Sequence, residues 1–292
     1  MALQVKGKTA LVTGGGSGIC LEFTKLLLSK GCNVVVADLT LLPEAETVVT
    51  GDPGSERATA AFIKTDVTDW KQLKAAFEFA IEKFKVLDIV CPGAGVFEPA
   101  WSNFWHLDDG VDNDSTSSFK TFDININHPV RATQLAIDSF MRQKLGHGVV
   151  VIISSTAAQT AFLPTPMYVA SKHAISDFTR AFADLEPKLN IRVNAVAPGR
   201  VKTPLWTQDK LTWINENFDR WVTPKQVADV MLDLITNEKN VGGTILEVGT
   251  DPVRAVQRIN DPGPQGKGLT SEEVANAYTN VYNLIEEHYG KS

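Results

Sequence analysis

The chain has 292 residues, 43% of them apolar, with a formal net charge of −6. That is enough apolar material to cover both faces of a sheet, and an acidic balance without a basic cluster excludes a nucleic-acid surface. Three separated cysteines (Cys20, Cys32 and Cys91) and five histidines show no metal-ligand spacing, so reduced core thiols and no bound metal are expected.

Residues Met1 to Lys8 carry no apolar signal region, and no uninterrupted apolar run approaches the ~18 residues of a membrane span. The expectation is a soluble, cytoplasmic protein with no membrane partner. The first strand, Thr9–Thr13, enters the turn Thr13-Gly14-Gly15-Gly16-Ser17-Gly18-Ile19. A helix from Leu21 to Lys30 follows, with Phe23, Leu26 and Leu27 at helical spacing. Strand, glycine turn and helix form a dinucleotide-binding entry: glycines let the backbone approach a pyrophosphate, and the helix N-terminus offers free N–H groups. The second strand, Asn33–Ala37, ends at Asp38, about 20 residues beyond the last motif glycine, where an acid should hold a ribose.

Further strands are expected at Ala61–Lys64, Leu87–Cys91, Val149–Ser154, Arg192–Val196 and Thr244–Val248. Several are continuous apolar runs, as in parallel strands buried on both faces. Helices are expected at Trp70–Phe84, Ser117–Gln143, Met167–Leu185 and Thr223–Asn237. Pro129 should kink or interrupt the second, Pro187 and Asn190 should close the third, and Thr223-Pro224 should cap the fourth. Right-handed crossovers then give an α/β fold, a single doubly wound domain with a mostly parallel seven-stranded sheet. The domain should span residues 6–249, with a substrate loop at about 200–222. Residues 51–59 read as a surface turn, 106–118 as a polar loop, and 250–292 as an extension whose helix runs from about Ser271 to His288.

Chemistry concentrates between residues 154 and 172. Ser155 closes the apolar run Val149 to Ile153, at the carboxyl end of a strand, where open α/β sheets bind ligands. Tyr168 and Lys172 are four apart and share a helix face, so an ammonium stands beside a phenol and should lower its pKa. His173 adjoins Lys172 but points about 100° away. Trp101, Trp105, Trp206, Trp213 and Trp221 fall in two segments that should border the substrate cleft, and as a group they suit a bulky apolar substrate. Loop anchoring is the competing reading for each. Arg200 and Lys202 read as solvated, or as partners for an acidic substrate group.

From about Lys6 to Gly249 the chain resembles the short-chain dehydrogenase/reductase family. Thr13, Gly14 and Gly18 match that family's cofactor turn, Asp66-Val67 its adenine-side pair, and Pro198-Gly199 with Thr203 its nicotinamide-side loop. Asn125, Ser155, Tyr168 and Lys172 match its catalytic set. The stretch Ala94-Gly95 with Phe97-Glu98-Pro99 looks most like the 15-hydroxyprostaglandin dehydrogenase subgroup. There are two departures. Cys20 stands where the family's turn closes with glycine, adding bulk between helix and strand. Pro92-Gly93 replaces a pair of asparagines, which removes two amides that could brace the central strands.

The resemblance implies an NAD-dependent oxidoreductase that interconverts a secondary alcohol and a ketone. Tyr168 would be the acid–base group and Ser155 would hold the substrate oxygen. Lys172 would tune Tyr168 and bond the nicotinamide ribose, and Asn125 would hold a water linking Lys172 to solvent. Gly16, Ser17, Ile19, Ala94, Gly95 and Val201 complete the expected cofactor contacts. Relatives commonly pair through two long helices, so a homodimer or homotetramer is expected. A biosynthetic ketone reductase and a non-catalytic cofactor-binding scaffold are the alternatives, the latter prompted by Cys20 and Pro92-Gly93.

Overall fold

The computed structural model describes residues 2–51, 58–107, 110–257, 279–280 and 283. The elements run β1 (Thr9–Thr13), α1 (Gly18–Ser29), β2 (Asn33–Asp38), α2 (Pro43–Thr50), β3 (Ala60–Lys64), α3 (Trp70–Phe84) and β4 (Ile89–Pro92). After them come α4 (Lys120–Phe122), a π-helical turn (Asp123–Asn127), α5 (His128–Gln143), β5 (Gly148–Ile153), a 3-10 turn (Thr156–Gln159) and α6 (Pro166–Ala181). The described order closes with α7 (Leu185–Leu189), β6 (Ile191–Pro198), α8 (Gln208–Leu211), α9 (Pro224–Thr236), β7 (Ile245–Val248) and β8 (Arg254–Ala255). Most of the surface turn, part of the polar loop, and the expected terminal helix apart from Thr279, Asn280 and Asn283 lie outside the described residues.

The sheet order is β3-β2-β1-β4-β5-β6-β7-β8, parallel through β7, with β8 antiparallel to β7. The strands are apolar on both faces because helices cover both. Val12, Val34 and Val36 pack with Phe23, Leu27, Met231 and Leu234 on the side of α1 and α9. Leu11, Val35 and Ala37 point the other way, onto Leu73, Phe77, Ala136 and Ile175 of α3, α5 and α6. Strand order reverses between β1 and β4, so the crevice opens at their carboxyl ends.

Local signals explain the helix starts. Asp69 accepts from Lys71 N and Gln72 N and opens α3 at Trp70. Thr223 and Gln226 form a reciprocal capping box that brackets Pro224 in the first turn of α9.

Four expectations change. The sheet has an eighth strand of two residues. β4 begins at Ile89 rather than Leu87, because Asp88 turns its carboxylate onto Thr9 N at the strand base. The expected 117–143 helix starts at Lys120 and passes through a π-helical turn before α5. Pro129 has no N–H to return to the carbonyl of Asn125, so the ladder widens there. Finally, α6 ends at Ala181, and Pro187 sits inside the separate helix α7, with Asn190 left-handed at its end.

The two departures from the family turn meet in space. A Cβ built on Gly93 would stand 2.2 Å from Cys20 Sγ, so the thiol fills the volume that a side chain at 93 would need. Gly93→Ala should therefore destabilise the fold by about 1–3 kcal/mol. In a Cys20→Gly background it should cost less, with a coupling of about 0.5–3 kcal/mol in urea unfolding. Strict additivity of the two substitutions would refute this complementarity.

Candidate active site

The glycine turn is held by contacts no side chain would allow. Gly14 has φ 70, and a Cβ there would lie 2.7 Å from Ala94 Cα. The turn can therefore lie flat against the loop after β4. Ser17 precedes α1 without capping it by its side chain, so the first N–H groups of the helix have no side-chain cap. Asp38 ends β2 beside the turn, with Oδ2 accepting from Gly16 N at 2.8 Å and Oδ1 from Leu39 N at 2.7 Å. Across the crevice, Asp66 accepts from both the amide and the hydroxyl of Thr68. Burial pushes its carboxyl up, but those bonds and Lys120 outweigh burial and hold it below the usual range.

Another group takes over the bracing once expected of the missing amides. The Thr13 hydroxyl oxygen accepts from Gly93 N at 3.0 Å, and His128 Nε2 lies 3.0 Å from it. His128 Nδ1 faces Ile124 O, which can only accept, so Nδ1 carries the proton and Nε2 accepts from Thr13. Burial pulls the His128 pKa down to about 4, so the ring is neutral at neutral pH.

Ser155 follows β5 and accepts from Ala157 N at 3.1 Å, which fixes its side chain at the start of the 3-10 turn. Tyr168 lies in the first turn of α6, with Lys172 one turn on. The Lys172 ammonium donates to Ile153 O at 2.9 Å and stands 5.5 Å from the Tyr168 ring centroid. Asn125 sits in the π-helical turn, where its side chain pairs with both Val96 N and Val96 O and donates to Ser171 Oγ.

The expected lowering of the tyrosine pKa is not what this arrangement gives. Burial raises the Tyr168 phenol above its ordinary value, and a hydrogen bond from Ser155 only partly opposes this. Lys172 is itself desolvated and falls to about 8. Loss of hydration dominates at both groups, because both leave water together.

One cleft of about 710 Å³ is lined by Ser155, Tyr168 and Lys172 and by nearly all the expected cofactor residues: Gly14, Ser17, Gly18, Ile19, Asp38, Asp66, Val67, Ala94, Gly95, Pro198, Gly199, Val201 and Thr203. Thr13, Gly16 and Asn125 stand behind that lining as supports. Thr65 and Leu39 also line it and carried no sequence signal beyond their places after β3 and β2. At the Ser155 end the walls are aromatic. Phe97 contacts Tyr168, Trp206 and Trp213 edge-on at 4.6, 5.2 and 6.1 Å between centroids. Trp101 lines the cleft too, whereas Trp105 anchors a loop by donating to Leu163 O, and Trp221 packs behind Trp206. Arg200, read from sequence as solvated or as a partner for an acidic substrate group, lines the cleft but is only 13% exposed at its side chain and ion-paired with Asp219.

The family model described as short chain dehydrogenase matches residues 8–212. The chain is 35% identical over 273 residues to 15-hydroxyprostaglandin dehydrogenase [NAD(+)] of Rattus norvegicus, covering 91% of this chain and 86% of that one. It is 30% identical to the Bos taurus protein of the same name, covering 85% and 93%. Among solved structures it is similar in fold to NADPH-dependent 3-quinuclidinone reductase from Rhodotorula rubra. The TM-score is 0.69 at 24% identity, covering 84% of this chain and 91% of that chain. The glycine turn, the sheet order and these matches together make the chain an oxidoreductase of the short-chain dehydrogenase family.

Proposed function

We propose that the protein is an NAD-dependent enzyme that interconverts a secondary alcohol and a ketone, with a bulky apolar substrate. The observation that carries this reading is the convergence of Ser155, Tyr168 and Lys172 on one cleft that also receives the glycine turn and Asp38. The residues fit a dinucleotide. The turn is clear of Cβ atoms at Gly14, α1 lacks a side-chain cap, and the Asp38 carboxylate is oriented by two backbone N–H groups. Bound NAD would accept the hydride and place positive charge beside the phenol.

In the oxidation direction Ser155 Oγ donates to the substrate oxygen and holds it against Tyr168. The Tyr168 oxygen, as phenolate, takes the hydroxyl proton. Lys172 stabilises that phenolate against the burial that raises its pKa. Asn125, held in place by Val96 and Ser171, supports a proton relay from Lys172. The aromatic walls exclude water and accommodate an apolar body. Cys20 and Gly93 share one space, which removes the packing argument for a non-catalytic scaffold.

Asp38 and the absence of positive charge at Gly15, Leu39 and Thr40 support a preference for NAD over NADP. Asp38→Ser should narrow that preference in a binding titration, and tighter NADP binding by the unmodified protein would contradict it. Tyr168→Phe should lower kcat by roughly 10²–10⁴-fold while NAD affinity stays near the wild-type value. Protonated Tyr168 cannot accept the hydroxyl proton, so wild-type oxidation should rise with pH and ketone reduction should fall. Unchanged turnover in Tyr168→Phe would remove the acid–base assignment. A dimer or tetramer formed through α5 and α6 is part of the proposal. Phe178 and Phe182 of that region meet edge-on at 4.8 Å between centroids and remain only partly buried, and sedimentation of a 31.8 kDa species alone at micromolar protein would overturn it.

A further inference from the structure

Glu98 is wholly buried and adopts a left-handed backbone conformation, with φ 43. A buried carboxyl is costly unless it is fully bonded. Here Oε2 accepts from Tyr168 N at 2.8 Å and Oε1 from Phe104 N at 3.2 Å. Helix α6 lacks a cap from its own sequence, because Thr165 holds the cap position without a side-chain hydrogen bond. Glu98 therefore caps the helix that carries Tyr168 and Lys172, from 70 residues away in sequence. A carboxylate there also meets the positive end of the helix dipole.

The same dipeptide holds the 200–222 loop. Lys210 of α8 is 2% exposed, and its ammonium donates to Phe97 O and, at 2.7 Å, to Glu98 O. It stands 4.9 Å from the centroid of the Phe97 ring. That ring in turn touches Trp206 and Trp213 of the loop and Tyr168 of α6. A lysine this deeply buried on two carbonyls anchors its segment; an ordinary surface lysine keeps its ammonium in water.

We propose that Glu98 and Lys210 are positioning residues that clamp the 200–222 loop and helix α6 onto the Phe97-Glu98 dipeptide. The seating of the loop over the substrate and the placement of Tyr168 then depend on each other. The inference rests on the proposed role of Tyr168 in proton transfer.

The test uses the full chain with Lys210→Met and, separately, Glu98→Gln. Amide hydrogen exchange is followed at residues 166–170 and 203–216. NAD affinity is titrated, and steady-state kinetics use NAD with 1-(2-naphthyl)ethanol. Lys210→Met should speed exchange at least tenfold in both segments, although its ammonium bonds to Phe97 and Glu98 rather than to α6. It should also raise KM by about 10–100-fold, the scale of a lost charged hydrogen bond, with NAD affinity changed less than threefold. Glu98→Gln keeps one acceptor and sets a donor against the other N–H. It should lower kcat about tenfold or more and loosen 203–216 as well as 166–170.

Exchange that changes only in 203–216 for Lys210→Met, or only in 166–170 for Glu98→Gln, overturns the clamp. So does NAD affinity falling in step with the rise in KM. If one variant shows no cooperative unfolding, the other decides the same question from its own side. A wild-type protein that turns over neither that alcohol nor a panel of ketones would overturn the proposed function instead. The exchange measurement needs no turnover and still decides the clamp.

Discussion

Everything at the cleft depends on how closely the turn after β1 approaches the loop after β4. The two backbones touch at Gly14 and Ala94, where no Cβ fits, and a thiol fills the gap beside them at Gly93. The Thr13 hydroxyl ties the same two segments together through Gly93 N, and neutral His128 completes the tie from α5. Move this contact by the width of a methyl group and three things shift together: the N-terminus of α1, the loop carrying Ala94 to Glu98, and the π-helical turn carrying Asn125. The two sides of the cleft are thus set by one packing contact, at the point where the strand order reverses.

Around that contact, charge is handled by desolvation more than by pairing. Lys172, Tyr168, His128 and Glu98 are all buried, and each has its pKa displaced toward the neutral form by loss of water. Backbone dipoles compensate: Ile153 O for Lys172, Tyr168 N and Phe104 N for Glu98, and two carbonyls for Lys210. A site built this way gains stronger electrostatics when a charged ligand arrives, because little water remains to screen it.

The sheet was legible because buried parallel strands read as continuous apolar runs. Val34 to Val36 and Val149 to Ile153 are β-branched throughout and too short for a buried helix. Trp70–Phe84 forms as expected at both ends, with Asp69 capping its first turn and Lys85 turning left-handed after its last. Helix α2 was missed, since it buries only Ala45 and shows no apolar stripe. The π-helical turn was also missed, because five residues are too few for periodicity to separate one helical pitch from another. The Ser155, Tyr168 and Lys172 cluster could be read from spacing and strand position. Glu98 and Lys210 could not. In sequence a charged residue reads as solvated, and only the fold reveals that both are buried.

The segment between Arg200 and Val222 leaves and rejoins the fold at almost one place. Val201 and Val222 pair as an isolated bridge, Val222 N donates to Arg200 O, and Arg200 is ion-paired with Asp219. Its two ends are thereby tied to each other independently of what lies between. Closing a longer loop on such a base costs only about 0.6 kcal/mol per doubling of length. The segment is therefore a cassette. Its interior can be rewritten to suit another guest while the sheet keeps its coordinates, provided that Lys210 still reaches Phe97 O and Glu98 O, the contacts that tie the segment to the start of α6.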